Sequence, residues 1–112
     1  MDASDMVVIT VTAADEDWLT GFVRALVADG LVACGNVIPG VRSIYRWEGT
    51  VADEREALAV LHTAPDCVER LRERVARDHP YDVPQFVVLR GSAATDYAQW
   101  VRSVTLEAPG PK

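Results

Sequence analysis

Hydrophobic and polar positions divide this chain into short periodic segments. Residues 6–12, MVVITVT, are β-branched and continuously apolar, the pattern of a strand buried on both faces. Asp15 is placed to cap a helix, and Glu16 and Asp17 complement the positive end of its dipole. Trp18, Phe22 and Leu26 then step by four, with Leu19, Val23 and Val27 beside them. That wide stripe is a helix face, and Gly30 is its C′ stop. Gly21 inside the helix is expected to mark close packing against a sheet. Residues 31–38 read as a second strand, which bends at Pro39-Gly40 and resumes over 41–47. There Val41, Ser43, Tyr45 and Trp47 fall on one face and Arg42, Ile44, Arg46 and Glu48 on the other.

Glu48-Gly49-Thr50 reads as a hairpin turn, and the chain returns over 51–63, first polar (VADERE) and then apolar (ALAVLHT). The polar half is expected to project beyond the sheet. Pro65 suits the first position of a helix running to about Asp78, with Val68, Leu71 and Val75 inward. Its outer face offers Asp66/Arg70 and Glu73/Arg77 pairs at i,i+4. HPYDVP (79–84) is a stiff loop, QFVVLR (85–90) a buried strand, and Tyr97, Trp100, Val101 and Val104 mark a closing amphipathic helix.

The order β-α-β-β-α-β plus a terminal helix predicts an α+β, ferredoxin-like fold: one antiparallel sheet with both internal helices on one face. Strands 6–12, 57–61 and 86–89 are nonetheless apolar on both sides. The second face and the aromatic hairpin therefore need cover, and copies of the same chain supply it most simply.

Composition narrows the function. At 112 residues the chain reads as one domain, 1–112, with an ordered core of about 6–106 and tails at 1–5 and 107–112. An apolar fraction of 49% excludes disorder, and a net charge of −6 argues against nucleic-acid binding. Ten of the eleven cations are arginines, which suits fixed, planar ion pairs as well as a GC-rich genome. The two cysteines, Cys34 and Cys67, form no disulfide framework. With no basic leader and no apolar run of membrane-spanning length, a cytoplasmic protein that engages no membrane is expected.

Two stretches carry a resemblance. LVACGNVIPGVRSIYRWEG and HPYDVPQFVVL resemble the CutA divalent-cation-tolerance family. Ala33, Cys34, Asn36, Ile38, Pro39, Gly40, Ser43, Tyr45, Trp47 and Gly49 meet the first pattern, and His79, Pro80, Tyr81 and Pro84 the second. The likeness runs from Val7 to about Val104. It implies a homotrimer whose long hairpins extend a neighbour's sheet. Gly35 departs from a usual β-branched residue and is expected to loosen its strand; His62 departs from a frequent lysine, Gln85 from a frequent glutamate and Ala14 from a common proline.

The resemblance also implies a trimeric metal-binding module for divalent-cation tolerance, with Cu(II) or another divalent ion bound but no cofactor required. Cys34 and His79 are its soft and borderline candidate ligands, His79 at the surface. Tyr45, Trp47 and Tyr81 suit either interface packing or an intersubunit cleft. Arg42, Arg46 and His62, with Glu48 nearby, suit either ion pairs across the trimer contact or the capture of a small anion in that cleft. The second choice points to the alternative function, a PII-like signalling module with a protein partner of unknown identity. No hydrolase triad, P-loop or zinc-hydrolase motif is present, so no enzymatic activity is expected.

Overall fold

The computed structural model describes residues 2–105. The expected tail at 107–112 lies outside them. The elements are β1 (Asp5–Ala13), α1 (Glu16–Ala28), β2 (Cys34–Trp47), β3 (Thr50–Thr63), α2 (Val68–Asp78), β4 (Val87–Ser92) and α3 (Thr95–Val104). A 3-10 turn at Pro65–Cys67 leads into α2. The four strands form one antiparallel sheet in the order β2-β3-β1-β4. This is the expected ferredoxin-like α+β arrangement.

One face of the sheet carries the core. Val7, Ile9 and Val11 of β1 and Ala57, Ala59 and Leu61 of β3 meet Leu19, Phe22, Val23 and Leu26 of α1 and Val68, Leu71 and Val75 of α2. Helix α1 is closed at both ends. Asp15 accepts a hydrogen bond from the Trp18 amide at 3.0 Å. At the other end Gly30, at φ 73°, donates to the Val27 carbonyl and Leu31 to the Leu26 carbonyl, both at 3.0 Å. That is a Schellman motif, and buried Leu31 packs beside Leu26 as its apolar contact.

The motif also explains a difference from expectation. Leu31–Ala33 are apolar and buried, yet Leu31 and Val32 belong to the helix stop, Ala33 donates to the His62 carbonyl of β3 at 2.9 Å, and β2 starts only at Cys34. Strand β4 is displaced too, running Val87–Ser92 while Gln85 and Phe86 stay in the loop. On α2, Arg77 turns to Asp78 at 2.8 Å and not to Glu73, and Arg74 bridges Asp78 and Asp29, also at 2.8 Å. Arg77 and Arg74 together hold the Asp78 carboxyl down at about 2.

The second face is largely open. Residues paired across it include Leu89 with Val8, Val8 with His62, and His62 with Cys34; a further row holds Val87, Thr10, Val60 and Asn36. Leu89 is 55% exposed and Val87 43%. Helix α3 covers one end of this face, burying Ala98 and Val101. Arg102 ties it to the amino-terminal turn through the carbonyls of Asp2, Ala3 and Asp5.

Beyond the helices, β2 and β3 continue as a two-stranded arm. A bulge interrupts their pairing between Ile38 and Val41, with Gly40 at φ 69°. At the tip Trp47 pairs with Thr50, and Glu48 (φ 48°) and Gly49 (φ 83°) make a two-residue turn. Both values are positive, the requirement of a type I′ turn.

Two glycines resolve differently from expectation. Gly21 faces solvent, and a methyl group there would meet nothing within 4 Å, so it marks no close packing. Gly35 does not loosen its strand: Val23 fills the space a side chain would take, and an added Cβ would collide with Val23 Cγ1 and press Leu61 Cδ2 at 3.1 Å. Gly21→Ala is therefore expected to stabilise the fold by about 1 kcal/mol, and Gly35→Val to destabilise it by about 1–3 kcal/mol. Urea unfolding of each variant checks both. Val23→Ala in the Gly35→Val background should recover part of the loss, a coupling that a simple propensity effect would not show.

Candidate functional site

The face periodicity of the arm decides what it presents. After the bulge, Val41 pairs with Glu56, Ser43 with Glu54 and Tyr45 with Ala52. Paired residues share a face, so Tyr45 and Trp47 stand with Glu54 and Glu56. Arg42 and Arg46 stand on the opposite face with Asp53 and Arg55. Beneath the aromatic face, the loop after α2 brings in Tyr81, Asp82 and Gln85. Together they enclose a cleft of about 740 Å³.

The loop is anchored from below by His79. Its Nε2 donates to the Thr12 carbonyl at 2.8 Å, and its Nδ1 accepts the Tyr81 amide at 3.0 Å. The Thr12 carbonyl lies past the last β1–β4 pair, Thr10 with Val87, so the imidazole takes over where the ladder stops. Trp18 packs edge-on against the ring, at 5.1 Å between centroids, and stacks on Phe22 at 4.9 Å. From this anchor Tyr81 reaches across to Glu56, its hydroxyl donating to Oε2 at 2.6 Å. Burial, and then the Glu56 carboxylate, push the Tyr81 phenol well above its ordinary range. Tyr45 is raised in the same direction, by burial first and by Glu54 second.

Of the residues singled out in the sequence, the cleft unites Tyr45, Trp47 and Tyr81. The others lie elsewhere in the chain. Arg42 makes a two-pronged ion pair with Asp53, Nε to Oδ1 and Nη2 to Oδ2, both at 2.8 Å, on the far side of the arm. Arg46 shares that far side, and Glu48 occupies the turn. His62 is at the other end of the sheet, bonded through Nδ1 to the Tyr97 hydroxyl at 2.7 Å. Within one chain, then, no anion-binding group of Arg42, Arg46 and His62 assembles. His79 is only 7% exposed with both ring nitrogens engaged, so it is not the surface ligand expected of it. Cys34 is half-buried on the open face, directly opposite His62.

The residues that sequence reading passed over are Glu54, Glu56 and Asp82. The first two lie in VADERE, where their alternation with Asp53 and Arg55 is the available signal. None of the described residues lining the cleft is an arginine, lysine or histidine. The site is therefore carboxylate- and phenol-lined, able to attract cations and to hydrogen-bond through its hydroxyls. Among the described residues, no three His, Cys, Asp or Glu side chains lie close enough together to hold a metal ion. No described helix is long and apolar enough to cross a membrane.

Fold and site together define a split-βαβ protein with a projecting aromatic arm over an acidic cleft. The family of the CutA1 divalent ion tolerance protein matches over residues 7–104, and the chain belongs to it. It is 37% identical over 99 residues to the divalent-cation tolerance protein CutA of Thermus thermophilus, covering 88% of this chain and 96% of that one. It is 36% identical over 96 residues to protein CutA of Homo sapiens, of which it spans 54%, with 85% of this chain covered. Among solved structures, CutA1 from Oryza sativa superposes with a TM-score of 0.89 at 28% identity, covering 96% of this chain and 100% of that one. The Thermus thermophilus protein superposes at 0.85 and 37% identity, covering 89% and 98%.

Removing the Tyr81 hydroxyl leaves Glu56, 7% exposed, without its donor. Tyr81→Phe is expected to destabilise the fold by about 2 kcal/mol in chemical denaturation. The phenol titration supplies a second check. Because the folded value is raised above 10.0, the stabilisation is complete below pH 10.0 and is lost as pH rises past the folded value. An ultraviolet alkaline titration should show one of the three tyrosines resisting ionisation more than the other two, and Glu56→Gln should bring it down.

Proposed function

We propose that this protein handles divalent cations, Cu(II) among them, as a cytoplasmic homotrimer without enzymatic activity. One observation carries the reading: a cleft lined by Glu54, Glu56 and Asp82 with no facing cation. Carboxylates and phenols are hard to borderline oxygen donors, suited to divalent ions. Among the described residues, one chain gathers too few of them for a closed site. Copies around a threefold axis supply the remaining ligands, and the ion is the cargo of the assembly.

The family name of the relatives, divalent-cation tolerance, supports the same direction. The exposed apolar rows of the open face, Leu89 and Val87 in particular, support assembly. Neither cysteine forms a disulfide, which fits a reducing compartment. A PII-like anion sensor would need cations facing the cleft. In one chain Arg42 is committed to Asp53 on the other side, and that reading finds no support.

Calorimetric titration with Cu(II) and Zn(II) tests the proposal. The Glu54→Gln/Glu56→Gln double variant is expected to weaken binding by at least about tenfold, the loss typical of disturbing a metal's ligand set. Equal heats for wild type and variant would remove the cleft from the reading. Assembly is tested separately by light scattering, which should give three times the mass of one chain. Leu89→Lys is expected to reduce that mass while the helical circular dichroism remains.

A further inference from the structure

The cleft between the arm and the loop after α2 has two walls, and divalent-ion chemistry uses only one of them. Glu54, Glu56 and Asp82 supply oxygen. The other wall is aromatic. Tyr45 and Trp47 stand two residues apart on one face of the arm, 40% and 50% exposed, and Tyr81 lines the cleft from the loop. A hard metal ion takes oxygen ligands and gains nothing from ring faces.

The charge of the cleft is also unanswered. Glu56 is only 7% exposed, and the group that meets its carboxylate is the Tyr81 hydroxyl, which carries no charge. Among the described residues, no ion pair reaches Glu54, Glu56 or Asp82. A carboxylate taken this far out of water without a counter-charge costs stability. The enclosed volume of about 740 Å³ is that of a small-molecule site, far more than a single ion fills. Carboxylates set beside aromatic rings in a cavity of this size suit a cation that is large, flat and weakly hydrated.

We propose that the cleft binds a small molecule carrying a guanidinium on an apolar stem. The planar group stacks on the faces of Tyr45 and Trp47. Its N–H fork lies in the plane, so it can donate to a carboxylate while its face is stacked. Exposed Glu54 takes that fork. Glu56 adds its negative field from below and keeps its bond to Tyr81. The guanidinium is also less strongly hydrated than an ammonium, so entering the cleft costs it less. The stem rests against Ile44, Val83 and Pro84, which line the same cleft. This inference shares the cleft with the divalent-ion reading but does not rest on it.

Calorimetric titration with butylguanidinium in the presence of EDTA tests the proposal. Divalent ions are then absent, so failure here leaves the metal reading standing, and failure of the metal titration leaves this one standing. One butylguanidinium should bind per chain. Butylurea, which has nearly the same shape and no charge, should bind at least about tenfold more weakly. Glu54→Gln, which keeps the size and removes the charge, should cost about tenfold, and Trp47→Ala about threefold or more. Equal affinity for butylurea, or wild-type affinity in either variant, would overturn the proposal. Nuclear Overhauser contacts on the wild-type protein decide the matter even if a variant misfolds or changes its assembly. Contacts from the ligand methylenes to the ring protons of Tyr45 and Trp47 are expected. Contacts confined to other residues would overturn it. So would an absence of binding at millimolar ligand, the result expected if an arginine of a second copy already fills the cleft.

Discussion

The bulge between Ile38 and Val41 sets the chemistry of the whole open face. Side chains alternate strictly along a strand, so a shift of one residue exchanges its two faces. Before the bulge, β2 places Cys34, Asn36 and Ile38 on the open face, opposite His62, Val60 and Leu58 of β3. Past it, Pro39 and Gly40 have taken up two residues against one, and the odd-numbered positions take that face instead. Tyr45 and Trp47 therefore join Glu54 and Glu56. An uninterrupted ladder would have turned Arg42 and Arg46 to this side and made the cleft basic. A proline and a glycine at positive φ are the residues that permit the irregularity, since one donates no ladder hydrogen bond and the other tolerates the backbone turn.

A second constraint is that the sheet has two apolar faces and the chain only enough helix for one and a fraction. Helices α1 and α2 seal the core face, where Ile9, Leu19, Leu26 and Leu71 are fully buried. Helix α3 is ten residues long and covers only the His62 end of the other face. The β4 edge, with Val87 and Leu89, stays open. The proposed trimer answers that demand.

Much of the architecture was legible in the residues. The alternation that assigns Tyr45 and Trp47 to one face and the arginines to the other can be read directly from VRSIYRW, and the succession of strands and helices along the chain follows from the sequence of periods. What escaped is instructive. Leu31 and Val32 look like strand because they are apolar, but their amides turn back to the Leu26 carbonyl and serve the helix stop. Glu54 and Glu56 look like a solvated extension because polar residues usually are; only the cross-strand partners show that they face Tyr45 and Tyr81. Gly35 looks like a weak point until Val23 is seen in the space above it. In each case the missing information was a contact between segments distant in sequence, which local periodicity does not contain.

His79 shows how a residue with metal-binding chemistry can be fully employed in structure. A neutral imidazole has one donor and one acceptor. Here the donor closes the end of β1 that β4 no longer pairs, and the acceptor holds the Tyr81 amide in the turn that follows α2. Protonating the ring would add a second donor facing the Tyr81 amide, and binding a metal at Nδ1 would take that amide's acceptor away. Either change releases the loop. Tyr81 would then lose the backbone position from which its hydroxyl reaches Glu56. A continuous path of hydrogen bonds thus runs from the Thr12 carbonyl through His79 and Tyr81 to the carboxylate in the cleft. The imidazole serves the cleft as its support, because the geometry of the oxygen donors there depends on the ring staying neutral and unligated.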